Sequence, residues 1–182
     1  MFVTAGTGEN TVVYTYGRYG ELGKDKQSFR GSTPIGEGVL IKLTGEDAQS
    51  FIKNQLDDNN ARVYEFTSGS DQKVMEYFDN LFNSSDKIPT EGSYKDNPNA
   101  RVIDEYSLFS NNCVTKSIEG IRKGVDNEYR YDGIKTPQSI SERLSRDSKN
   151  YDNAILDFFG ITVGRDVRKV EKTEIKKELG LN

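Results

Sequence analysis

The chain reads as an α+β fold, a small antiparallel sheet packed against helices, and two patterns predict it. Short apolar segments of strand character, separated by glycine turns, crowd the first third of the 182 residues, as antiparallel hairpins require. Segments of helical period follow, and the one carrying the single cysteine, Cys113, comes late in the chain.

Taken in order, Phe2-Val-Thr-Ala5 is a first strand and Thr11-Val-Val-Tyr-Thr-Tyr16 a second, with hairpin-loop chemistry in Gly6-Thr-Gly-Glu-Asn10 between them. On the second strand Tyr14 and Tyr16 share a face, opposite Val13 and Thr15. Gly17-Arg-Tyr-Gly20 closes it. The stretch Gly20–Gly38 is rich in Gly, Lys, Ser and Asp, and reads as a long loop of the kind that serves binding or stands as an insertion. Gly38–Leu43 is a third strand, apolar enough for a central position. Thr44-Gly-Glu-Asp47 resembles a capping box before a helix with Ala48, Phe51, Ile52 and Leu56 on one face. That helix ends at Asp57-Asp-Asn-Asn60, and Ala61–Phe66 is a fourth strand. Ser70 opens a second helix that turns Val74, Met75, Phe78, Leu81 and Phe82 inward as core. Asn83–Ala100 is polar, holds two prolines and reads as loop. Arg101–Tyr106 is an extended lead into the cysteine segment.

In that segment Val114, Ile118 and Ile121 recur at i, i+4 and i+7, one face of a helix. Asn111 and Asn112 are good N-cap residues, and Gly124 stands where a C′ glycine belongs. Cys113 then falls in the first turn, where unpaired backbone N–H groups and the positive end of the dipole favour a thiolate. The same N–H groups can face a developing oxyanion. A small apolar residue packed under a core helix is the competing reading of a free cysteine. Beyond Gly124, Asp126–Gly133 is a tyrosine-rich turn region, and Thr136 caps a helix with Pro137 at N1 and Ile140 and Leu144 inward. Ala154–Phe159 and Ile161–Val163 form a helix turn or strand pair around Gly160. Arg165–Leu181 is a charged helix striped by Val167, Val170, Ile175 and Leu179. The whole is one domain, 1–182, with a core over about 1–145 and a helical extension at 146–182.

Composition narrows the function. With 34% hydrophobic and 30% charged residues the chain is polar, yet ten Tyr and nine Phe supply more apolar bulk than a disordered segment carries. A net charge of −4 argues against a nucleic-acid partner. No apolar run nears the roughly 18 residues a membrane span needs, and the opening residues lack signal-peptide character. The sequence has no histidine, so the usual neutral-pH base and the commonest zinc ligand are both missing. Asp and Glu show no calcium-loop spacing, so neither a metal nor another cofactor is expected.

The first hairpin, Tyr14-Thr-Tyr-Gly-Arg-Tyr-Gly20, a strand–helix unit, Tyr106-Ser-Leu-Phe-Ser-Asn-Asn-Cys113-Val-Thr and then Thr136-Pro137 follow one another in an order that resembles the circularly permuted papain-like amidases. These are the NlpC-type cell-wall peptidases and their lecithin-retinol-acyltransferase-like relatives. The resemblance spans about residues 1–145. It implies a permuted papain-like fold with Cys113 as nucleophile, and Asn112, Tyr14 and Tyr16 as oxyanion or orienting groups, with Thr11 a further candidate for the third polar residue. It implies substrate contacts from Arg18, Tyr19, Tyr106 and Asn111. The family's histidine is expected just ahead of Phe2, where Met1 stands, so it is truncated, replaced or naturally absent, and activity as written is expected to be impaired. Losing such a base typically costs several orders of magnitude in rate. The resemblance implies a cysteine amidase or endopeptidase acting on peptidoglycan peptides or another amide, as a secreted or delivered effector toxin in a target cell's periplasm, with an immunity protein as partner. The alternatives are a non-catalytic binding or adaptor domain on the same scaffold, or a cysteine hydrolase acting on target-cell protein or lipid acyl groups.

Overall fold

The computed structural model describes residues 1–19, 35–59, 61–90, 92–108, 110–125, 137–151 and 167–181. Over these the fold is α+β, as the sequence predicts. Strands β1 (Phe2–Ala5), β2 (Val12–Gly17), β3 (Ile35–Thr44) and β5 (Ala100–Ser107) form an antiparallel sheet in the order β1-β2-β3-β5. Strands β4 (Val63–Phe66) and β6 (Val167–Val170) pair as a separate ribbon. Five α-helices complete the described residues: α1 (Gly45–Asp57), α2 (Asp71–Asn83), α3 (Cys113–Gly124), α4 (Pro137–Tyr151) and α5 (Lys172–Glu178).

Alternation along the strands gives the main sheet two apolar faces. Val13, Val39, Ile41, Leu43 and Val102 point to one side, where Ala48, Ile52 and Leu56 of α1 cover them. Val3, Ala5, Tyr14, Tyr16 and Leu40 point to the other, under Val74 and Phe78 of α2. Helix α3 lies beside α2 and against β1 and β2. Its other flank joins Val114 and Ile118 to Ile140 and Leu144 of α4 and Val167 of β6.

The α2–α3 crossing is close because α3 carries glycine where α2 leans on it. A Cβ at Gly120 would collide with the Phe78 ring, and one at Gly124 with the Val74 side chain. Gly124 is thus the last helical residue, with Val125 as the extended C-cap, and its role is clearance rather than the C′ turn expected from sequence.

Other expectations are corrected. Thr44 occupies the N-cap position of α1 but its side chain makes no capping bond, because the helix is entered through Gly45 at φ +55°. The segment Arg165–Leu181 is not one helix: Val167–Val170 is a strand and only Lys172–Glu178 is helical. Its β-branched valines have a partner in β4, and pairing outweighs a thin helical stripe. The third strand starts at Ile35, ahead of the expected Gly38. Residues 20–34, the Asp126–Gly133 turn, Thr136 and the Ala154–Val163 segment lie outside the described residues. Ser70 does cap α2, its hydroxyl accepting from the Lys73 N–H at 3.3 Å.

Candidate functional site

Cys113 is the first residue of α3, as its spacing predicts. Buried Asn112 caps the helix: its Oδ1 accepts from the N–H groups of Val114 at 2.9 Å and Thr115 at 3.1 Å. The Thr115 hydroxyl accepts from the Asn112 N–H at 2.7 Å, closing a capping box. The Asn112 amide also donates to the Leu108 carbonyl at 2.8 Å, so both of its ends are engaged in holding the turn. Cys113 itself is half-buried. It packs against the Val114, Ile118, Ile140, Leu144 and Val167 cluster beside Tyr64 and Phe66.

One turn away lies a polar network. The Tyr16 hydroxyl donates to Asp104 Oδ1 at 2.6 Å and accepts from Asn111 Nδ2 at 3.1 Å. Asn111 Nδ2 also donates to the Glu105 carbonyl at 2.7 Å, and the Asn111 main chain bridges to Ser107. Asp104 Oδ2 meets Lys116 Nζ at 3.0 Å, and that ammonium stands 5.8 Å over the Tyr16 ring. Tyr106 tilts against Tyr16 with ring centroids 5.9 Å apart. Burial first, then the bond to Asp104, holds the Tyr16 phenol far above its ordinary value. Tyr16 is therefore neutral at any working pH and is no base.

The sequence-predicted residues divide accordingly. Asn111, Asn112, Tyr16 and Tyr106 gather around the start of α3. Tyr106 is raised by burial, with a second upward push from Cys113 and a lowering from Arg18, so these groups share one field. Tyr19 sits at the margin, its hydroxyl 2.8 Å from the Thr15 hydroxyl and its ring edge-on to Tyr94. Burial, chiefly, pushes its phenol up to about 12, and Cys113 adds to that. Arg18 lies across Gly36 of β3. Tyr14 stands apart: its ring stacks on Phe78, and its hydroxyl donates to Asp79 at 2.8 Å. Asp104 and Lys116 were not legible as site residues. Lys116 stood at i+3 from Cys113, but nothing in the sequence marks the carboxylate that meets it.

A cavity of about 830 Å³ opens elsewhere, between residues 1–7 of the first hairpin, residues 61–71 and the far end of α3 at Ile121 and Gly124. Cys113 is not in its lining, whereas Thr11 is. Thr11 is buried, and its hydroxyl has no hydrogen-bond partner among the described residues. These residues also hold no group of three or more side chains able to ligate a metal, and no helix long and apolar enough to cross a membrane. No family model, curated protein or solved structure matches the chain.

Proposed function

We propose that the chain is a thiol-dependent amide hydrolase domain with Cys113 as nucleophile, a permuted papain-like domain that cuts peptide bonds of peptidoglycan and turns over weakly because it holds no histidine. The observation that carries this reading is Cys113 at the first position of a helix closed by a capping box, half-buried, with Asn111 two residues before it and Tyr106 and Tyr19 in its field. The thiolate attacks the amide carbonyl carbon, and the Cys113 N–H, the helix-start donor that the Asn112 cap does not take up, faces the resulting oxyanion. The C–N bond breaks, the amine leaves with a proton from solvent, and water hydrolyses the thioester. With no imidazole present, the thiol proton passes to solvent. Turnover therefore rises with pH along one ascending limb instead of a bell. Added imidazole is expected to accelerate it.

The reading includes delivery as an effector toxin to a target cell's periplasm, with an immunity protein as partner. The test is digestion of purified peptidoglycan by this chain and by Cys113→Ala, with fragments identified by mass. New termini that depend on Cys113 support the proposal. Intact peptidoglycan with and without imidazole, or cleavage that survives in the Ala variant, defeats it. A second reading, a non-catalytic binding domain, is favoured by the position of the 830 Å³ cavity away from the thiol. Retention of peptidoglycan fragments by both proteins without cleavage would support that reading instead.

A further inference from the structure

Asp104 sits on the α2 side of the sheet because the ladder between β3 and β5 slips there. Gly38 pairs with Asp104 but Val39 pairs with Val102, so Ile103 is an extra residue on β5. Ile103 packs with Tyr14, Tyr16 and Leu40 on the α2 side, and Asp104, which unbroken alternation would send to the α1 side, reaches Tyr16 instead. Opposite it, Gly38 leaves the space: a Cβ there would collide with both the Asp104 carboxylate and the Tyr16 hydroxyl. The bulge at Ile103 and the space at Gly38 thus converge on one carboxylate. Its two oxygens reach both sides of the thiol's turn, one to Lys116 on α3 and the other through Tyr16 to Asn111, two residues before Cys113.

We propose that Asp104 is the positioning residue for Cys113: through Tyr16–Asn111 and Lys116 it sets the start of α3, and with it the place of the sulfur beside the Cys113 N–H, the helix-start donor that the Asn112 cap does not take up. This rests on Cys113 being the reactive thiol of the site, and it requires no contact between Asp104 and sulfur. Among the described residues, the charged and titratable groups around that turn include Tyr16 of β2, Arg18 and Tyr19 following it, Tyr64 of β4, Asp104, Glu105 and Tyr106 of β5, and Lys116 and Glu119 of α3.

The test is the rate of Cys113 alkylation by iodoacetamide across pH, which reads the thiol directly and needs no substrate. Tyr16→Phe cuts the tie to Asn111 without changing charge. Tyr14→Phe is its matched control, since it loses the same kind of phenol–carboxylate bond, to Asp79, on the same strand face. The Asp104→Asn, Lys116→Met pair removes the ion pair with no change in net charge. Tyr16→Phe and the double variant are expected to lower the neutral-pH rate by about tenfold and move the pH profile, the equivalent of one charge-assisted hydrogen bond. Tyr14→Phe is expected to leave both unchanged. Circular dichroism identifies any variant that fails to fold, and the other then decides. Equal rates in Tyr16→Phe, the double variant and the control overturn the positioning role, as does an equal slowing in all three. Altered alkylation without peptidoglycan cleavage would retain the positioning role and reject the hydrolase; cleavage with unaltered alkylation would do the reverse.

Discussion

At the residue scale, two buried side chains, one just before β2 and one capping α3, make opposite demands. Asn112 satisfies two orphan N–H groups of α3 and holds the Leu108 carbonyl. Asn112→Ala is expected to lose about 1–2 kcal/mol in urea denaturation, and Asn112→Asp, which keeps the cap acceptor, clearly less. Among the described residues the buried Thr11 hydroxyl finds no partner. Thr11→Val is expected to gain about 1 kcal/mol by the same measurement, and a loss instead would mean that the hydroxyl is hydrated in solution. Asn112 was legible from sequence because capping is local chemistry, written within three residues. The pairing of Tyr16 with Asp104 was not, since its partners are 88 residues apart. Tyr14 shows the limit of face arguments. It shares the face of Tyr16, as alternation predicts, but two residues along the strand place it under α2 with Asp79 rather than beside the thiol.

At the element scale, the α2–α3 crossing decides how the cysteine helix sits. Phe78 is buried and stacked on Tyr14 at 4.7 Å, so its ring cannot swing aside for a new methyl at position 120. Gly120→Ala is therefore expected to cost about 1–3 kcal/mol, with partial recovery when Phe78→Leu is added. Additive losses in the double variant would show that the two positions do not share the space. Helices α1, α2 and α3 were legible because each carries one apolar face at helical period. Strand β6 was not: Val167 and Val170 are also three apart, the spacing of a helix, and only the distant edge of β4 makes them a strand.

At the scale of the whole molecule, charge ties the tail to the front of the fold. Lys176 bonds Asp57 at the end of α1, and Lys172 donates to the Leu56 carbonyl at 2.7 Å. The Lys176 bond, then the field of nearby lysines, lowers the Asp57 carboxyl below its ordinary range. A lowered folded-state value contributes stability above the unfolded value of about 3.9, and that contribution fades as pH falls through the folded one. Urea midpoints across acid pH are expected to fall less steeply in Asp57→Asn than in the parent; superimposable curves would remove Lys176–Asp57 from the account. Tyr14, Tyr16 and Tyr77 work in the other direction. Burial, then a carboxylate partner, raises each phenol, so their contribution is complete below about pH 10 and is lost as pH climbs beyond. In an alkaline absorbance titration these three are expected to ionise only as the circular dichroism of the fold collapses. The fold class was legible as a sum of local patterns, but the sheet's register was not, and register holds a last consequence. If one residue were inserted between Gly38 and Val39 to face Ile103, the β3–β5 ladder would run unbroken and look more regular than before. Asp104 and Tyr106 would then swing to the α1 side, and Glu105 would take their place beneath the thiol. A change in length alone, with every side chain of the network kept, would then undo the proposed positioning of Cys113.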